Sequence, residues 1–174
     1  MKQIRKQIAQ LMVSMNRINC CYSVCCQTFN LKDSEFGLLY SLADGVPYSQ
    51  KQICDEWGIP RTTLNTIIKD WKARGLVQLE PIPGKRREMN ILLTDAGQTL
   101  ADSVLDKIFE MENAAMQETV DEFSPEFIRV LRIYETRLRA HCKRLFGEAP
   151  SVPFSPKEYS VSPTFFSSAL SMEP

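Results

Sequence analysis

The chain has 174 residues, enough for one domain or for one domain with a tail. Its 44% hydrophobic and 24% charged residues are ordinary for a soluble globular protein, and no run of 18 apolar residues offers a membrane span. Lys plus Arg number 21 and so do Asp plus Glu, so the total does not indicate a generically basic nucleic-acid binder.

The opening Met1-Lys2-Gln3-Ile4-Arg5-Lys6 leads into an amphipathic pattern and not an apolar signal core, which predicts a cytoplasmic protein with no membrane partner. Ile4, Ile8, Leu11, Met12, Met15, Ile18 and Tyr22 recur at helical spacing and predict a long first helix over about residues 2–28. Asp33 and Ser34 are N-cap candidates for a second helix that runs to about Ala43, with Phe36, Leu39 and Leu42 inward. Asp44-Gly45 stops it, and Val46-Pro47-Tyr48 reads as short extended chain.

Ser49 and Gln52 have the spacing of a capping box, which opens a third helix ending at Trp57. Gly58 suits its left-handed C-terminal position, and Pro60 suits the first turn of a fourth helix. In that helix Leu64, Ile67, Ile68 and Trp71 stand at i, i+3, i+4 and i+7, and Arg74-Gly75 ends it. Leu76 to Glu80 and Glu88 to Leu93 read as two strands around a turn, Pro81 to Arg87, with a basic tip. Thr94 caps a long fifth helix to about Val120. Ser124-Pro125 opens a sixth with Phe127, Leu131, Tyr134, Leu138 and Leu145 on one stripe, and Gly147 ends it. From Glu148 onward the chain is rich in Pro and Ser and is read as a disordered tail over residues 148–174. There is no internal repeat.

Two short helices joined by a glycine turn, followed by a hairpin with a basic tip, form a winged helix-turn-helix. Crossing helices need a small residue where they touch, and Cys54 supplies it. The turn needs Gly58, and Ile59 must be buried. With Leu64 and Ile67 inward, Thr62, Thr66 and Lys69 face directly away, flanked by Arg61, Thr63 and Asn65. This polar face, free of acid through its first two turns, suits a major groove about 12 Å wide. Thr and Asn can bond base edges, Arg61 can reach guanine or phosphate, and Lys69 suits phosphate. Ser49 and Gln50, at a helix N-terminus, are candidate phosphate contacts, as are Lys85, Arg86 and Arg87 on the hairpin. Charge distribution agrees: Arg61, Lys69, Lys72 and Arg74 face a single Asp70 between Pro60 and Gly75.

Residues 35–102 resemble the MarR family of bacterial transcription regulators. The resemblance rests on Phe36-Gly37-Leu38-Leu39-Tyr40-Ser41-Leu42, Gln50-Lys51-Gln52-Ile53-Cys54 and Ile59-Pro60-Arg61-Thr62-Thr63-Leu64-Asn65. It also rests on the ordered pair Lys72-Ala73-Arg74-Gly75-Leu76-Val77 and Leu93-Thr94-Asp95-Ala96-Gly97. It implies a mainly α (α+β) fold over residues 1–147. The DNA-binding core spans about 33–94, and long dimerisation helices span about 2–28, 94–120 and 124–146. It implies a homodimer on a pseudo-palindromic operator in double-stranded DNA. Repression is usual and is often relieved by a small-molecule effector, here of unknown identity, or by oxidation. The family's wing carries an Asp two residues before the Arg that enters the minor groove. Here Arg87 matches the Arg but Lys85 replaces the Asp, which puts sequence reading by the wing in doubt and makes the wing a diffuse phosphate clamp.

Two half-sites one helical turn apart also require a dimer on geometric grounds, with Phe29, Ile108, Phe109, Phe127 and Leu138 as candidate interface residues. The basic residues of the sixth helix, Arg129, Arg132, Arg137, Arg139, Lys143 and Arg144, read as a solvated face or as partners of acids on the fifth helix, with a second DNA patch as the alternative. Cys20, Cys21, Cys25 and Cys26 spread around a helix and cannot converge on one tetrahedral metal. They read first as small packing residues, with redox sensing through Cys21 and Cys25, or metal sensing, as alternatives. Cys54 and Cys142 read as structural. His141 is the single histidine, without a carboxylate or serine partner at useful spacing, and no phosphate-binding glycine loop is present. No enzyme activity, cofactor or metal is expected. The competing reading from another class is a winged-helix module that holds a partner protein without sequence-specific DNA binding.

Overall fold

The computed structural model describes residues 2–85 and 88–147. Arg86, Arg87 and the expected tail at 148–174 lie outside the described residues. The elements follow in the order α1 (Lys2–Thr28), α2 (Asp33–Leu42), β1 (Tyr48–Ser49), α3 (Gln50–Trp57), α4 (Arg61–Ala73), β2 (Val77–Pro81), β3 (Met89–Leu93), α5 (Asp95–Phe123) and α6 (Glu126–Phe146). This is the expected mainly helical winged helix-turn-helix, with boundaries shifted by at most three residues, the largest shift being the end of α5 at Phe123.

The shifts have local causes. Helix α2 begins after Lys32, not after Asp33 or Ser34, because the Glu35 carboxylate reaches back to accept from the Lys32 N–H at 2.9 Å. Pro60 caps α4 from outside: it is extended at φ −58°, ψ 135°, and its carbonyl accepts from Leu64 N–H. Gly58 is left-handed at φ 63°, the conformation the tight turn requires.

The segment read as loose extended chain at 46–48 is in part a strand. Tyr48 and Ser49 pair antiparallel with Ile91 and Asn90, which makes a three-stranded sheet in the order β1-β3-β2. A two-residue strand has no periodicity to read. The partner across the sheet creates it.

One core runs through the winged part. Leu38, Leu39 and Leu42 of α2, Ile53 of α3, Leu64, Ile67, Ile68 and Trp71 of α4, Ile91 of β3 and Ala101, Val104, Leu105 and Ile108 of α5 are all buried. The expected anchors of α4 therefore all point inward. Truncating a side chain such as Trp71, 1% exposed, costs about 3–5 kcal/mol in cores of this kind.

The long helices behave differently. In α1 only Cys26 is buried, and α6 buries nothing. Ile4, Ile8, Met12, Met15 and Ile18 of α1 are exposed, as are Leu131, Leu138, Leu145 and Phe146 of α6. Of the residues expected at a dimer interface, Ile108 is buried within this chain, and Phe29 and Phe109 are partly buried against its core. Phe127 is half-buried and Leu138 is exposed, as an interface residue of a separated chain would be.

Candidate nucleic-acid interface

The polar face of α4 is fixed by what lies behind it. With Leu64, Ile67, Ile68 and Trp71 buried, Arg61, Thr62, Thr63, Asn65, Thr66 and Lys69 are all exposed. All six expected groups thus lie on the solvent side of one helix. The Thr66 hydroxyl donates to the Thr62 carbonyl at 3.1 Å. Its proton is committed, so it meets a ligand as an acceptor beside a methyl group.

The N-terminus of α3 is built differently from the expectation. Ser49 Oγ accepts from Gln52 N–H at 3.3 Å, and the Ser49 N–H donates to Gln52 Oε1 at 2.9 Å. The capping box is present, but Ser49 is only 7% exposed and its hydroxyl is also bonded to Gln52 Oε1. Ser49 is thus a largely buried cap whose hydroxyl both accepts from and donates to Gln52. Gln50 is half-buried and Lys51 is exposed.

The wing contains an acid, Glu88, whose role is not marked by any local motif. Lys85 Nζ donates to Glu88 at 2.7 Å, a pair three residues apart across the turn. The hydrogen bond from Lys85 is the main cause holding the Glu88 carboxyl below its usual value, and the positive charges of Lys85, Lys51 and Arg61 act in the same direction. Those influences place the base of the wing, the first turn of α3 and the start of α4 in one electrostatic neighbourhood. Glu88 thus pairs with Lys85, the residue that stands at the family's Asp position. Lys51 and Glu88 were legible only as charges in the sequence, because their nearness depends on β3 lying beside α3.

The cysteines divide by position. Cys26 is buried and its thiol is pushed up to about 11, first by burial and then by the nearby Asp33. Cys25 is half-buried, while Cys20 and Cys21 are exposed. Packing therefore accounts for Cys26 and Cys25 but not for the other two within one chain. Cys54 is half-buried, with its thiol raised by burial first and by Asp55, against an opposing effect of Arg61. Among the described residues no group of His, Cys, Asp and Glu is arranged to hold a metal ion. Two of the α6 arginines pair with acids of α6 itself, Arg129 with Glu126 and Arg139 with Glu135.

The family model described as MarR family matches residues 29–88, the span from the end of α1 to the wing. The chain is 36% identical over 75 residues to the HTH-type transcriptional repressor NicR of Pseudomonas putida, covering 43% of this chain and 48% of NicR. The matched part thus spans about half of that relative. It is 32% identical over 116 residues to the HTH-type transcriptional regulator PecS of Dickeya dadantii, covering 65% of this chain and 68% of PecS. The chain belongs to the MarR family. A MarR family regulator of Neisseria meningitidis, NMB1585, has the same fold: the TM-score is 0.70 at 21% identity, over 79% of this chain and 97% of that one. In this MarR-family fold the two weak motifs, at 72–77 and 93–97, meet in space. Thr94 Oγ1 donates to the Gly75 carbonyl at 2.6 Å, and Thr94 N–H donates to the Leu76 carbonyl, so the two form one joint.

Proposed function

We propose that this MarR-family chain is a transcription repressor that binds a pseudo-palindromic operator in duplex DNA as a homodimer, in the cytoplasm. The observation that carries the reading is the exposed, acid-free first two turns of α4, held by four buried anchors. Asn65, Thr62, Thr63 and Thr66 read base edges, Arg61 reads guanine or binds phosphate, and Lys69 neutralises phosphate. Gln50 with Lys51 and the wing residues Lys85, Arg86 and Arg87 clamp the backbone on either side. Ser49 contributes by fixing the start of α3.

The dimer is supported by the apolar faces of α1 and α6, which one chain leaves in water. A second copy covering them sets two recognition helices at a fixed separation. The names of NicR and PecS support regulation, and that of NicR supports repression. A small-molecule effector of unidentified chemistry is part of the same reading.

The test is a salt titration of binding to the duplex upstream of the chain's own gene, beside a random duplex of equal length. Tighter binding to the upstream duplex and a linear fall of log K with log salt are expected. Equal binding to both duplexes, or no salt slope, overturns the proposal in favour of a protein-interaction module.

A further inference from the structure

Glu112 lies where the long helices leave the winged domain. It follows Ile108, the last fully buried residue of α5, by one helical turn. Its carboxylate accepts from two phenols on two other helices: Tyr22 of α1 at 2.6 Å and Tyr40 of α2 at 3.0 Å. Tyr40 in turn packs edge-on against Trp57 at the end of α3, with ring centroids 5.5 Å apart, and against Phe109 at the same distance. Phe36 joins Tyr22, Tyr40 and Trp57 into one aromatic group. Burial and the Glu112 contact push the Tyr22 hydroxyl above its usual range, which keeps it a donor.

An apolar residue would fill the same space without fixing direction. A carboxylate shared between two hydroxyls is short and directional, so it fixes both the rotation of α5 and its crossing with α1. From Glu112 to Phe123 the helix runs on for roughly 16 Å at about 1.5 Å per residue. A rotation of about 10° at Glu112 therefore moves the far end by roughly 3 Å, close to the rise of about 3.4 Å per base pair.

We propose that Glu112 is a positioning residue that, through Tyr22 and Tyr40, sets the angle between the long helices and the winged domain and thereby the half-site separation the dimer accepts. The inference rests on the dimeric DNA-binding reading above.

The experiment is selection of bound duplexes from a random library by the full-length chain, with the spacing between inverted half-sites read from the selected pool. The wild type is expected to select one dominant spacing. Glu112→Ala, and Tyr22→Phe combined with Tyr40→Phe, are expected to keep the half-site sequence but spread over adjacent spacings. The preference for the dominant one should fall at least about tenfold. Glu112→Gln, which keeps one carbonyl acceptor, is expected to fall between. If the alanine variant does not fold, Glu112→Gln and the single Tyr40→Phe carry the test. Unchanged spacing in the folded variants overturns the inference, even if their thermal midpoints drop, because that outcome is a purely structural role. A wild-type pool without paired half-sites overturns the dimer reading itself and this inference with it.

Discussion

The first turn of α5 rests directly on the chain leaving α4: a Cβ added at Gly97 would lie 2.0 Å from the carbonyl oxygen of Leu76. Thr94, which caps α5 by accepting from Gly97 N–H at 3.1 Å, also bonds the backbone of Gly75 and Leu76. Backbone packed on backbone has no side chain that can swing aside. Gly97→Ala is therefore expected to destabilise the fold by about 3 kcal/mol or more, above the usual range for an added methyl group. Urea unfolding checks this: the midpoint should fall while the slope stays the same.

A second glycine makes a contact of a different kind. A Cβ on Gly37 would come within 2.9 Å of two carbons of the Trp57 ring. Trp57 is 38% exposed and has room to turn, so Gly37→Ala is expected to cost less, about 1–2 kcal/mol. The tryptophan should lose its edge-on contacts with Phe36 and Tyr40. A changed emission maximum relative to the wild type would register this, and an unchanged spectrum would contradict it.

Glu88 gives the wing a pH dependence. Its carboxyl is held below its usual value by the hydrogen bond from Lys85, so the pair is intact above the normal carboxylate range and is lost as pH falls through the lowered value. At neutral pH Glu88→Gln is expected to release Lys85 for phosphate and to tighten DNA binding about threefold while steepening the salt slope. Fluorescence anisotropy across a salt series measures both. Weaker binding by the Gln variant would show that Glu88 orients the wing to net benefit.

On α4, contacts with different partners are expected to fail in different ways. Lys69→Ala should weaken binding uniformly across sequences and lower the salt slope by about 1. Asn65→Ala should leave the salt slope in place and relax preference at one base position, by about 1–3 kcal/mol of discrimination. Competition between duplexes that differ at single positions separates the two outcomes.

The cysteines are expected to differ in reactivity. Alkylation depends on thiolate and on access. Cys20 and Cys21 are exposed, whereas Cys26 is 3% exposed with its thiol pushed up to about 11. Iodoacetamide at pH 8 should label Cys20 and Cys21 at least about tenfold faster than Cys26, as read by peptide mass mapping. Because folding raises the Cys26 value, its contribution to stability is complete below about 9, the ordinary thiol value, and is lost as pH rises toward 11.

Much of the fold is legible in the sequence. Helix α4 presented its anchors at helical spacing, Ser49 and Gln52 marked the start of α3, and Gly58 marked the turn between them. These are local signals, set within one or two turns of helix. The reading face followed from them, since burying Leu64 and Ile67 leaves a helix little choice about what remains outside.

Other features were set by distance in space rather than in sequence. Ser49 reads as a contact because its position at the start of a helix is local, yet its burial depends on β1 pairing with β3. Ile108 reads equally as core or as interface, because apolar spacing does not say which neighbour covers a face. Glu88 beside Lys85, and Glu112 between Tyr22 and Tyr40, join residues whose types alone carry no signal. The sequence by itself thus determined the elements and the exposed face of α4, through periodicity, capping and backbone conformation. Only the tertiary structure decided which charges stand together and where the long helices are held. Both depend on directional contacts between segments as far apart as residues 22 and 112, and no local rule encodes that separation.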